Sequence, residues 1–297
     1  MNSQKIKYPY IPVIFFFSCI SVFSSQQIKN ETLRVDVAYR ALQPGEVIKI
    51  TLENTFNVGV AQVNFIGEKY IMGKGENSSE LLTFIGLDLG LSPGTYSMNI
   101  NVLYEDGKTE EFKRELLVID KKFPIKKLWV EEKYVVPPEE SQEKIERESV
   151  LLKSIYSIST NQWFAKEPFI IPSNGTISSN FGEKRIFNNK PRSPHSGVDI
   201  VSPFGSFAVA SNAGEVVLAS NLYFSGKTVI INHGLGVFTI YCHFSDIMVH
   251  RGDFVKKGDI IGKIGATGRV TGPHLHWGVK INGNRVDPFS LVYVAMK

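Results

Sequence analysis

The chain changes its hydrophobic rhythm twice. Between Glu31 and Asp120, apolar residues alternate with polar ones in short runs. Leu33, Val35 and Val37 form one run, Val47, Ile48, Ile50 and Leu52 a second, and Tyr96, Met98, Ile100 and Val102 a third. A period of two marks strands with one buried face. The runs are separated by Gln43-Pro44-Gly45-Glu46, Ser92-Pro93-Gly94-Thr95 and Glu105-Asp106-Gly107-Lys108. In these turns proline pre-sets φ and glycine accepts a positive one. In 121–167 the pattern shifts. Pro138 followed by Glu139 and Glu140 is a helix start, and Ile145, Val150, Leu151, Leu152 and Ile155 recur at roughly helical spacing. This predicts a linker with one amphipathic helix, Glu139–Tyr156, whose charged run faces solvent. From Pro168 to the end, Val/Ile-rich segments are punctuated by glycines, and no helical periodicity is visible. Strands are predicted at Gly214–Ala219, Thr228–Asn232, Val237–Cys242, Ile260–Ile264 and His274–Ile281.

The fold class that follows is all-β. Residues 26–120 are similar to an immunoglobulin-like β-sandwich, although no cysteine pair marks it. Residues 168–297 are expected to form an antiparallel β domain.

The first residues bear on the compartment. Lys5 and Lys7 precede the uncharged, mostly apolar stretch Ile11–Phe23, and the small residues Ser24 and Ser25 follow. This is the arrangement of a secretory signal peptide, assigned to residues 1–25. A membrane-spanning helix wants about 20 apolar residues, and this run is shorter and broken by serines. Phe16-Phe17-Ser18-Cys19 loosely resembles a bacterial lipoprotein cleavage box without its usual leucine. The expectation is export to the periplasm or cell envelope, with membrane attachment through Cys19 lipidation or an uncleaved signal as the anchored alternatives. Either fate of Cys19 leaves Cys242 a lone thiol.

Composition narrows the function classes. Hydrophobic residues make up 43% and charged residues 21% of the 297, which is ordinary for a globular protein. The net charge of +4 comes with no concentrated basic cluster, so nucleic acid is not an expected partner.

The chemistry gathers in the C-terminal domain. His274 and His276 in Thr271-Gly272-Pro273-His274-Leu275-His276-Trp277 are two apart on a predicted strand and so share a face. Imidazole is both the commonest protein metal ligand and a base near neutral pH. Pro194-His195-Ser196-Gly197-Val198-Asp199-Ile200 adds a histidine and a carboxylate, and Tyr241-Cys242-His243-Phe244-Ser245 adds another histidine. A catalytic zinc takes three protein ligands and leaves a position for water. Five groups therefore cover three ligands and two non-ligating helpers. His233 is assigned to a turn and His250 to the exposed surface.

These stretches, with Ser178-Ser179-Asn180-Phe181-Gly182 and Asn232-His233-Gly234, resemble the lysostaphin-type zinc endopeptidase domain of exported bacterial peptidoglycan hydrolases. The likeness covers Ile177–Leu291. It implies a compact antiparallel β fold with the metal in a groove. It further implies one Zn²⁺ per chain on His195, Asp199 and His276, with His243 and His274 as the catalytic pair beside it. The implied substrate is a peptidoglycan peptide, cleaved at the cross-link or stem, often near glycine or diaminopimelate. Some relatives plug their metal from an N-terminal region, and Asn188 and Asn189 are the suspects here. Three rival readings exist. Relatives that have lost ligands activate other wall hydrolases, but all five positions are filled here. Phe254-Val255-Lys256-Lys257-Gly258-Asp259 resembles a turn of lipoyl carriers, yet no exposed lysine tip follows. A wall adhesin would rest on the sandwich alone.

Overall fold

The computed structural model describes residues 33–75, 77 and 79–296. The signal segment and Cys19 lie outside the described residues. Two antiparallel four-stranded sheets begin the fold. The first runs Arg34–Tyr39, Val47–Glu53, Glu80–Gly86, Gly73–Lys74 in spatial order. The second runs Glu68–Ile71, Val58–Phe65, Gly94–Tyr104, Thr109–Val118. Alternation works as the sequence predicts. Ile48, Ile50 and Leu52 of one sheet meet Val63, Phe65, Met98 and Ile100 of the other in a shared core. The pair is a β-sandwich, closed by apolar burial between the sheets.

The C-terminal domain is built on a ten-stranded sheet. Its path runs Thr176–Ser179, Gly197–Val201, Leu275–Ile281, Val237–Ile247, Gly226–Asn232, Gly214–Leu222 and Phe254–Val255. Ile260–Ile264 pairs with both Val237–Ile247 and Phe207–Val209. One face buries Val198, Ile200, Tyr241, Phe244, Leu275 and Trp277. The predicted strands are all present, several of them longer than their sequence patterns.

Two features depart from the sequence reading. A second helix, Pro288–Ala295, ends the described chain. At eight residues it is too short to show a periodicity, but its Asp287 cap, accepting from the Phe289 N–H, and Pro288 in its first turn were the available signal. The segment 121–167 also holds more than a linker and a helix. Ile125–Leu128 pairs in parallel with Lys184–Phe187, which joins Lys190–Pro191 in a three-stranded sheet. The helix has the predicted bounds, Glu139–Tyr156, but only part of the predicted apolar stripe is buried. Val150 and Leu151 are exposed, while Ile155 packs with Leu218, Leu222, Ile230 and Phe238 and Leu152 lies against them. Glu148, read as solvated, accepts the Tyr223 N–H at 2.9 Å.

The sandwich is fused to the C-terminal domain by a shared core. Val47, Leu82 and Phe84 pack with Trp163, Val279, Ile281, Val286, Leu291 and Val294. Trp163 forms a bridge with Gly234, whose φ is +88° and whose Cβ would lie 1.8 Å from the Gln162 carbonyl oxygen. Only glycine fits there. Around this core Arg285 holds Asp88 at 2.7 Å, and Arg40 bridges Glu46 at 2.8 Å to Asp287 at 2.7 Å.

Burial alone would push the Glu46 carboxyl upward, but hydrogen bonds from Arg40, helped by Lys121, hold it below the usual range. A depressed carboxylate contributes stability above its unfolded value, near 4.3, and loses it as pH falls through the folded value. Arg40→Ala leaves Glu46 buried with less compensation. It should lower stability by about 2–3 kcal/mol at pH 7, a figure reduced from that for fully buried pairs because Arg40 is partly exposed. The loss should shrink in acid. Urea denaturation at pH 7 and pH 4 checks this; an unchanged midpoint at pH 7 would contradict it.

Candidate metal centre and groove

Asp199 and His276 stand directly opposite each other across the antiparallel strands Gly197–Val201 and Leu275–Ile281. Cross-strand partners share a face, so the pairing brings the carboxylate and the imidazole together. Period two sends Leu275 and Trp277 into the core and turns His276 to the other side. His195 enters from the segment before the first of these strands. Its N–H donates to the Glu183 carbonyl at 2.9 Å, and its carbonyl accepts from the Gly182 N–H at 2.8 Å.

The three donor atoms converge. His195 Nε2 lies 2.9 Å from His276 Nδ1 and 2.9 Å from Asp199 Oδ1, and His276 Nδ1 lies 3.0 Å from the same oxygen. Tetrahedral zinc with ligands at 2.0–2.1 Å spaces its donors about 3.3 Å apart, so this triangle is of the right size. The protonation argues the same way. His195 Nδ1 lies 2.9 Å from the Asn180 carbonyl oxygen, which can only accept, so the proton sits on Nδ1. Burial holds His195 down at about 4 despite Asp199 nearby, so the ring is neutral at pH 7. Its Nε2 lone pair then faces a carboxylate oxygen, two acceptors in contact, an arrangement a shared cation reconciles. These residues are the group among the described residues that can hold a metal ion.

Supporting contacts fix the group. Arg185 Nη2 donates to Asp199 Oδ2 at 2.5 Å, leaving Oδ1 for the cluster. Orienting bonds of this kind tune a metal site.

Gly197 sets the position of His276. A Cβ on Gly197 would lie 2.4 Å from the Trp277 carbonyl oxygen and 2.8 Å from the His276 ring. Gly197→Ala should therefore displace the ring and weaken metal binding at least tenfold, in the range of supporting-residue losses of about 10–100-fold. A competition titration with a metallochromic chelator measures it, and unchanged affinity would contradict this role for Gly197.

His243 and His274 complete the cluster. His243 sits at φ +69°, beside register shifts in its strand pairing. Such an irregularity re-aims a side chain. The His243 and His274 ring centroids are 4.8 Å apart, and His243 is 6.1 Å from His276. His274 Nε2 is 3.7 Å from Asp199 Oδ1. Both rings donate from Nδ1, His243 to the Thr267 carbonyl and His274 to the Gly272 carbonyl, each at 2.8 Å. Each Nε2 is thereby left with its lone pair. Burial lowers both below the ordinary histidine value, His243 strongly.

The remaining sequence assignments divide. His250 is exposed, as expected. His233 follows a strand and is fully buried, donating from Nδ1 to the Ala213 carbonyl. Asn188 and Asn189 form a left-handed hairpin turn, and the Asn188 side chain is bound to Val130 and Glu132 rather than aimed at the cluster. Cys242 is free and buried, its thiol pushed up to about 12 by burial. Arg185 was not legible as a site residue, because its contact with Asp199 is set by how the strand Lys184–Phe187 lies in the fold.

The cluster opens into a groove of about 470 Å³. His195, His243 and His276 lie along it, with Phe224 and Ser225 and the helix residues Leu152 and Tyr156 among its walls. Among the described residues, no helix is long and apolar enough to cross a membrane.

Comparison with known proteins gives these features a context. Residues 193–288 match Peptidase family M23. Peptidoglycan DD-endopeptidase ShyA of Vibrio cholerae serotype O1 is 40% identical over 124 residues, covering 41% of this chain and 29% of that protein. DD-carboxypeptidase/endopeptidase Mpg of Neisseria meningitidis serogroup B is 40% identical over 97 residues, covering 33% of this chain and 22% of that one. The chain thus spans less than a third of the length of these two relatives. The crystal structure of a candidate peptidase M23 from Pseudomonas aeruginosa superposes with a TM-score of 0.62 at 29% identity, covering 86% of this chain and 96% of that one.

Proposed function

With residues 193–288 a segment of Peptidase family M23, we propose that the protein is an exported zinc endopeptidase that hydrolyses peptide bonds in peptidoglycan cross-links or stems. The observation carrying this reading is the convergence of His195 Nε2, Asp199 Oδ1 and His276 Nδ1 on one point, with His243 alongside in an open groove and His274 packed against His243.

His195, Asp199 and His276 would hold the ion, and two imidazoles with one carboxylate suit Zn²⁺. When bound, such an ion lowers the pKa of its water to about 7 and polarises the scissile carbonyl. The chain supplies the rest. His243 and His274 each present an unprotonated Nε2, so either can accept the proton of the attacking water. The protonated ring returns that proton to the departing amine. Arg185 holds the Oδ2 of Asp199 and so orients the carboxylate. The wall-activating reading calls for missing ligands, and the presence of all three donors weighs against it. The envelope is the compartment that this substrate requires.

The direct test incubates the protein with a muropeptide dimer, cross-linked from D-alanine to the side-chain amine of diaminopimelate. Mass spectrometry should show two monomers whose summed mass exceeds the dimer's by one water. An intact dimer in the presence of bound metal would contradict the assignment.

A further inference from the structure

Resting on that peptidase reading, we infer that Arg269 recognises a carboxylate of the substrate peptide next to the bond that is cut. Arg269 lies in the turn leading to His274, and its N–H donates to the Phe224 carbonyl at 2.8 Å. Its guanidinium is held between two rings, 5.0 Å from the Phe187 centroid and 4.8 Å from Phe224. It lines the same groove as His195, His243 and His276.

Unlike the arginines that tie the shared core and the cluster together, it has no anionic partner. Arg40 is paired with Glu46 and Asp287, Arg185 with Asp199, and Arg285 with Asp88. Among the described residues, no carboxylate pairs with Arg269. Its surroundings oppose its charge: burial, with Arg185 and Arg192 nearby, pulls it down to about 10, which still leaves it cationic at pH 7. A half-buried cation without a counter-charge is costly to maintain, and a ligand anion would offset that cost. The groove as a whole has the same bias. Its lining includes Lys153, Arg185, Arg269 and Lys280 and no aspartate or glutamate. Such walls draw anions in. Phe187 and Phe224 flank the guanidinium at cation–π distance and limit its freedom, and its planar fork of N–H donors can grip a carboxylate through two hydrogen bonds.

Peptidoglycan peptides offer such a group in two places. In the cross-linked dimer, diaminopimelate carries a free carboxyl on the carbon bonded to the scissile nitrogen. In an uncross-linked stem ending in D-alanyl-D-alanine, the terminal carboxyl holds the same position. Arg269 is neither a donor to the metal cluster nor a base, so its contribution should appear mainly in KM.

The test uses the metal-loaded full chain and four peptides: the dimer and the pentapeptide stem, each as the free acid and with that carboxyl converted to the carboxamide. Wild-type protein should prefer the acid of the pair it uses by about 10–100-fold in kcat/KM, carried by KM, a range set by the cost of unpairing one charge-assisted contact. The pair showing the preference identifies the source of the carboxylate. Arg269→Gln should bring the acid-to-amide ratio to within about twofold, and Arg269→Lys should keep part of it because it retains the charge without the fork. Metal content should be unchanged in both variants. Equal cleavage of acid and amide by wild-type protein, or a loss in Arg269→Gln that falls on both forms alike, would overturn the inference. If no peptide is cut, the peptidase reading fails separately. Calorimetric binding of the same four peptides then decides Arg269: tighter binding of an acid form, lost in Arg269→Gln, supports it, and equal binding overturns it.

Discussion

Alanine at position 276 is expected to leave the protein folded, without its metal and without hydrolytic activity. His276 supplies one of three donor atoms, lying 2.9 Å and 3.0 Å from its two neighbours in the triangle. Its ring is half-buried at the groove, while the core of this strand is built by Leu275 and Trp277, so the fold has other supports. Two donors do not retain an ion against dilution as three do. Metal content should fall from about one ion per chain to a small fraction of that. The rate should fall by more than the 10²–10⁴-fold typical of losing an acid–base group, because the activated water and the carbonyl polarisation go together. Asp199→Asn should weaken the metal too, since it removes the anionic donor and leaves Arg185 facing a neutral amide. Metal analysis after gel filtration reads both variants. Full metal retention by His276→Ala would remove it from the ligand set.

The second large effect separates catalysis from metal binding. His243→Ala and His274→Ala should each keep the metal and lose about 10²–10⁴-fold in kcat. Their Nδ1 atoms are committed to the Thr267 and Gly272 carbonyls, and the ring centroids sit 4.8 Å apart beside the triangle without belonging to it. The double variant should be little worse than the more damaging single one, because residues acting as a unit are not additive. Loss of metal in either single variant would move that histidine among the ligands.

The sequence made some of this legible and not the rest, for physical reasons. A strand has a fixed period, so His274-Leu275-His276-Trp277 could be split into a groove face and a core face by inspection. Turn chemistry at Pro44-Gly45 and Asp106-Gly107 is local, and the sandwich strands followed from it. The helix bounds came from Pro138, Glu139 and Glu140, yet its buried face did not. Leu152 and Ile155 turn inward and Val150 outward because Phe238 and Leu222 lie on one side, which is a fact of the neighbouring sheet. Long-range pairings were out of reach. Nothing near Ile125 announces a parallel partner at Lys184, and nothing near Arg185 announces its bond to Asp199. Gly197 stood inside a recognised motif, but its reason, a ring lying where a Cβ would be, is visible only in three dimensions. Arg269 was likewise in plain view beside His274, and its missing counter-charge is a property of the folded groove.

If this triangle holds a metal that the groove uses to cut peptidoglycan, metal content and hydrolysis must rise and fall together. The most direct measurement pairs metal content of the purified protein lacking residues 1–25 with release of soluble fragments from purified peptidoglycan, before and after chelation. The expected result is about one zinc ion per chain, release that stops on chelation, and release that returns when zinc is restored. Zinc-free protein, or release indifferent to chelation, would contradict it.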